Sequence, residues 1–162
     1  MLLWLNILAA LKKPADEIVR GHWATFGRDY YARHDYEDVE TGAANDLMDS
    51  LRGKLAGLPG QRFGGLTVGT CDDFSYTDPV DGSLTPRQGI RILFREDARA
   101  VFRLSGTGTS GATLRVYLER YEPDAARHAL PVEEALAPVE RAAGEIAEIA
   151  AHTGRDAPTV IT

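Results

Sequence analysis

The residues of this chain best equipped for chemistry lie between 99 and 117, Arg-Ala-Val-Phe-Arg-Leu-Ser-Gly-Thr-Gly-Thr-Ser-Gly-Ala-Thr-Leu-Arg-Val-Tyr. Residues 105–111 supply three glycines (Gly106, Gly108, Gly111) and four hydroxyls (Ser105, Thr107, Thr109, Ser110), with Arg103 entering the segment and Arg115 leaving it. Glycine adopts φ > 0 without a Cβ penalty. Backbone N–H groups in such a turn can therefore converge into an anion-binding nest. Two guanidinium forks can grip phosphate oxygens bidentately, which the point charge of lysine cannot do. The expected ligand chemistry is a phosphate. The plainer alternative is a glycine-rich hairpin turn, for which seven residues are many.

The spacing Gly106-x-Gly108-x-x-Gly111 also fits the dinucleotide fingerprint. That pattern carries meaning only where a helix follows and receives the pyrophosphate at its N-terminus. Here Leu114, Val116 and Leu118 alternate with Arg115, Tyr117 and Glu119, which is the period of a strand. The fingerprint is therefore accidental, and no Gly-Lys-Ser/Thr of a Walker loop is present.

The elements that must position this loop can be read along the chain. Residues 1–11 are apolar except Asn6 and are followed by Lys12 and Lys13. Eleven residues are too few to span a bilayer. A secretory signal carries its positive charge ahead of the apolar run, not behind it. A helix apolar nearly all round reads as one buried in a larger body. A second helix can start at Pro14, with Ile18, Val19, Trp23 and Phe26 on one side. Residues 28–38 show no clear period and read as a connector. Thr41 or Asn45 could cap a helix reaching about residue 55, with Leu47, Met48, Leu51 and Leu55 inward. Strand-like runs follow at 66–71, 74–77, 89–94 and 99–104, with a turn cluster at 78–83 and a hairpin turn at Glu96–Asp97. Residues 132–151 read as one long helix with Val139, Ala143, Ile146 and Ile149 inward. The tail 152–162 reads as a closing loop or edge segment.

This order gives an α+β fold, an antiparallel sheet of four to five strands with helices on one face. A helical appendage, residues 1–28, precedes a compact domain over 29–162. The formal charge of −6 speaks against nucleic acid or an anionic membrane surface as partner. One cysteine, Cys71, excludes an intramolecular disulfide and suits a reducing cytoplasm. It reads as a small core residue. His22, His34, His128 and His152 lack metal-ligand spacing. Glu133, Glu134 and Glu140 read as the solvated side of the last helix.

Four segments together resemble phosphoglucomutase of the α-D-phosphohexomutase superfamily. They are Arg103-Leu-Ser-Gly-Thr-Gly with Gly111-Ala-Thr-x-Arg115, Asp73-Phe-Ser-Tyr-Thr-Asp-Pro-Val-Asp-Gly-Ser83, Gly27-Arg-Asp-Tyr-Tyr-Ala-Arg-His-Asp-Tyr-Glu37 and Gly154-Arg-Asp-Ala-Pro-Thr-Val-Ile-Thr162. The resemblance covers almost the whole chain. It implies the fourth, C-terminal domain of that enzyme, a mobile lid of TATA-binding-protein-like fold, preceded by the last helices of the third domain and the hinge. It further implies that Arg103, Ser105, Gly106, Thr107, Gly108 and Arg115 contact the non-transferred phosphate of glucose 1-phosphate, glucose 6-phosphate or glucose 1,6-bisphosphate. Thr109 and Ser110 fall where relatives vary. The family's phosphoserine, magnesium and sugar loops do not occur here, so no catalytic or metal-binding residue is expected in this chain, and magnesium is expected only in the full-length enzyme. The leucine-rich start would then face solvent, and it is expected either to drive self-association through residues 1–26 or to fold back onto its own domain. A stand-alone phosphate-ester-binding or interaction module, and a structural fragment that binds nothing, are the alternatives.

Overall fold

The computed structural model describes residues 2–108 and 111–162, leaving aside side chains at 107 and 108. It consists of two compact units, Met1–Asp29 with Tyr121–Leu130, and Tyr30–Arg120 with Pro131–Thr162.

In the first unit α1 (Leu2–Leu11) buries none of its residues, so a helix expected to be enclosed is open in this chain. Leu2, Leu3, Leu5 and Leu11 are each more than half exposed. α2 (Ala15–Phe26) places Asp16 and Glu17 in its first turn, where the helix dipole favours them. It stops at Gly27, whose φ of +83° lets its N–H return to Trp23 O at 2.8 Å. The Tyr121 hydroxyl donates to Phe26 O at 2.9 Å. Arg28 lies over the Trp23 ring at 4.1 Å and donates to His128 O.

The second unit is built on a sheet in the order β2-β3-β4-β5-β6-β1-β7. The strands are β1 (Arg28–Val39), β2 (Arg62–Phe63), β3 (Leu66–Thr77), β4 (Leu84–Phe94), β5 (Ala98–Gly108), β6 (Gly111–Glu122) and β7 (Val160–Ile161). The pairs β2–β3, β3–β4, β4–β5, β5–β6 and β1–β7 run antiparallel. Seven strands replace the four to five expected, because 28–38 is a strand and not a connector and the two-residue strands β2 and β7 lie at the ends of the sheet. Its alternation is real but concealed: Tyr30, Ala32, His34 and Tyr36 enter the core, while Asp35 on the opposite face is buried as well. The runs at 66–71 and 74–77 are one strand whose register shifts twice against β4.

Three helices, α3 (Thr41–Lys54), α4 (Val132–Ala147) and α5 (Ile149–Thr153), belong to this unit, and α3 and α4 pack against the sheet. Leu47 and Leu51 of α3, with Val139 and Ile146 of α4, meet Ile90, Ile92, Phe102, Leu114 and Leu118 in a core that excludes solvent. The cap of α3 is Glu40, not Thr41 or Asn45. Its carboxylate accepts from Gly42 N at 2.9 Å and Ala43 N at 2.8 Å, the capping task usually given to a shorter side chain. The long helix expected over 132–151 is interrupted at Glu148, which takes a left-handed conformation at φ 50°, ψ 43° and pairs with Lys54. Glu133, Glu134 and Glu140 are exposed as expected. The 78–83 turn is closed by Asp78 and Asp81, whose side chains accept from Val80 N and Ser83 N. Cys71 is half-buried rather than in the core, and its thiol donates to Leu55 O at 3.2 Å.

A candidate phosphate site on the open sheet face

Strand polarity separates the faces of the β5–β6 hairpin. Phe102 opposes Val116 and Leu104 opposes Leu114 on the helix-covered side. The other side carries three cross-strand pairs, Arg99 with Glu119, Val101 with Tyr117 and Arg103 with Arg115. The first is an ion pair at 2.6 Å. The third sets two cations directly opposite each other, an arrangement that destabilises a sheet unless an anion sits between or beside them.

The segment 105–111 is not a free loop. β5 runs on to Gly108 and β6 starts at Gly111, so the strands reach into it and a register shift between Ser105 and Gly108 absorbs the extra residues. Ser105 opposes Thr113 just beyond the two arginines. Gly106 stands at the shift with φ +67°, and a Cβ there would meet nothing within 4 Å. Backbone conformation, not space, is what calls for glycine at this point. The side chain of Thr107 and residues Thr109 and Ser110 lie outside the described residues, and Gly108 is described only through its pairing with Gly111. Helix does not follow the glycines, in keeping with an accidental dinucleotide pattern.

The structure adds two residues that the sequence reading passed over. Asp35 on β1, the strand beside β6, has a side chain only 5% exposed. Arg33 Nε stands 3.0 Å from Asp35 Oδ1, and Arg115 Nε stands 3.7 Å from Asp35 Oδ2. Both signals were available in 28–38 as odd-numbered charges between even-numbered core residues, had that segment been read as a strand. Arg103 is exposed and, among the described residues, has no such acidic partner. Its stem packs against Gly89 of β4. It lines two clefts, one of about 290 Å³ with Phe74, Gln88 and Gly89, the other of about 520 Å³ with Tyr31, Arg33 and Tyr117. Nearby, Arg91 donates to both oxygens of Asp72 and holds that carboxyl below the usual carboxylate range. Arg91 is therefore already neutralised, as Arg99 is. Arg103 is thus left without an acidic partner among the described residues, while Arg115 shares the single carboxylate of Asp35 with Arg33. Among the described residues no three His, Cys, Asp or Glu side chains come together as a metal site.

The family model described as phosphoglucomutase-1, C-terminal domain, matches residues 28–159. The chain is 58% identical over its whole length to a phosphoglucomutase of Rhizobium radiobacter, of which it covers 30%. It is 46% identical to the cytoplasmic phosphoglucomutase of Pisum sativum and 41% to the chloroplastic one of Solanum tuberosum, covering 30% and 27% of them. The crystal structure of the open form of parafusin, a phosphoglucomutase from Paramecium, superposes with a TM-score of 0.86 at 41% identity, over 98% of this chain and 28% of that one. The chain thus spans about a third or less of the length of these relatives. No helix among the described residues is long and apolar enough to cross a membrane. By fold, by sequence and by the residues matched, the chain belongs to the phosphoglucomutase-1 C-terminal domain family.

Proposed function

We propose that this chain is the phosphate-holding lid of a phosphoglucomutase, an enzyme that interconverts glucose 1-phosphate and glucose 6-phosphate. It would grip the phosphate that is not being transferred. Arg103 and Arg115 bind its oxygens from opposing strands, and backbone N–H groups at Ser105–Gly108 with the Ser105 and Thr107 hydroxyls complete the grip. The carrying observation is the like-charged pair Arg103–Arg115, facing each other beside left-handed Gly106. Such a site reads a phosphate by charge and geometry and ignores sugar stereochemistry, which suits a bisphosphate that must turn around between two phosphoryl transfers. Closure of the lid would exclude water from the reacting centre. That centre, and the magnesium it needs, would lie in parts of the enzyme beyond this chain, which has no catalytic residue of its own. The cytoplasm is the proposed compartment and nucleic acid is not a proposed partner.

The test is titration of the chain with inorganic phosphate and with glucose 1-phosphate. Arg103→Ala and Arg115→Ala should each weaken binding by roughly ten- to a hundred-fold, the worth of one charge-assisted contact, and by less where water screens it. Affinities equal to the parent's in both variants, with circular dichroism unchanged, would refute the phosphate role. A coupled assay of the chain alone should show no mutase turnover. Turnover abolished by a substitution within these residues would refute the division of labour.

A further inference from the structure

We infer that Asp35 is a positioning residue, a buried carboxylate that fixes Arg115 so that one of the two opposed guanidiniums is set in place before an anion arrives. The inference rests on the phosphate reading above. Three observations carry it. Asp35 is held from both edges of its strand's surroundings: β1 lies between β6 and β7, Asp35 pairs with Val160, and its carbonyl accepts from Thr159 N at 2.7 Å. Its two carboxylate oxygens are shared out, Oδ1 to Arg33 and Oδ2 to Arg115. Finally, Arg33 Nε, Arg115 Nε and Asp35 Oδ1 are buried and, among the described residues, have no hydrogen-bond partner, only the ionic approach of the opposite charge, although 37% of the Arg115 side chain remains exposed. The inner end of that guanidinium is thus closed off against a carboxylate while its outer part stays open.

Buried charges are retained only when paired, and here two cations share one anion, leaving a surplus positive charge at the phosphate face. A long side chain immobilised beforehand loses less rotamer freedom on binding. Arg103, exposed and without an acidic partner among the described residues, is the adaptable member of the pair, and Arg115 the fixed one.

Positioning and simple charge make opposite forecasts. Neutralising Asp35 raises the local positive charge, so a bystander carboxylate predicts tighter anion binding in Asp35→Asn. A positioning carboxylate predicts binding about ten-fold weaker despite the added charge. The probe is inorganic phosphate, titrated into the 162-residue chain at fixed ionic strength and followed by NMR, with the Arg115 Nε–Hε signal as a second readout. That signal should be sharp in the parent and broadened in Asp35→Asn. Binding that is unchanged or tighter in a folded Asp35→Asn would overturn the inference. Should that variant not fold, the pair Arg33→Met and Arg33→Met/Asp35→Asn carries the test, since it drops the buried ion pair as a unit. The double variant must bind phosphate more weakly than Arg33→Met; equal or tighter binding overturns the role. If Arg103→Ala and Arg115→Ala bind as the parent does, the phosphate reading itself fails and Asp35 has nothing to position.

Discussion

Adding one methyl group at Gly89 should disturb the site without touching either arginine in sequence. A Cβ built on Gly89 falls 2.8 Å from Arg103 Cγ and 2.9 Å from Phe102 O. Carbon atoms in contact prefer about 3.5–4.0 Å, so the Arg103 stem is asked to retreat by roughly 0.7 Å or more. The carbonyl cannot yield as readily, because Phe102 is paired with Ile90 in the β4–β5 ladder and its ring is fully buried. Overpacking of this kind costs about 1–3 kcal/mol, which for a domain of this size lowers the melting temperature by about 2–12 °C. The displaced guanidinium should also weaken phosphate binding, by up to about ten-fold. Thermal melts followed by circular dichroism and a phosphate titration of Gly89→Ala read both effects. Gly53→Ala is the control: it lies inside α3 with nothing within 4 Å of the added atom, and alanine is the better helix former. It should melt at or above the parent temperature. If Gly89→Ala melts with the parent and binds phosphate equally, Arg103 does not rest on Gly89 in the binding-competent state and the geometry described for the site is wrong.

Stability should fall as pH drops below about 6.5, the ordinary histidine value. Burial pushes His34 below it, and the opposing pull of Glu140 at 3.8 Å does not compensate. The unfolded chain then takes up a proton that the folded one refuses, so stability is full above that value and declines below it, by at most about 1.4 kcal/mol per pH unit. The carboxyls of Asp72 and Glu96, both held below their usual range, lose their stabilisation only in more acid solution, through their folded values. Urea melts across the range from about pH 7 to about pH 5 check this, and a flat profile there would refute it. The exposed apolar residues of α1 should make the chain self-associate, most simply as a symmetric dimer. Light scattering should show the dimer, and removal of residues 1–26 should abolish it; a monomeric 162-residue chain refutes the expectation.

Much of this architecture was legible because periodicity and burial coincide where one side of an element is apolar and the other wet. β6 is the clear case, with Leu114, Val116 and Leu118 buried and Arg115, Tyr117 and Glu119 between them. α4 is another: Val139, Ala143 and Ile146, which its spacing named, are buried, together with Ala135, Leu136, Ala142 and Ala147. The rule fails where polar residues are buried on both faces. β1 packs Tyr30, His34 and Tyr36 into the core and closes Asp35 under two guanidiniums on the other side. Its hydropathy does not alternate although its geometry does. Losing that strand also meant losing Arg33 and Asp35, since a residue on a connector has no face to share with Arg115. The glycine segment failed for the opposite reason. Glycine and serine carry weak strand preference, so the sequence placed a loop where pairing with Thr113 and Gly111 draws β5 onward to Gly108. The extension puts Ser105 and Gly106 one step beyond the opposed arginines along the same hairpin. On the proposed phosphate reading, backbone N–H groups on a paired strand would be held in register with Arg103 and Arg115, whereas a seven-residue loop would have to order itself around each phosphate it met.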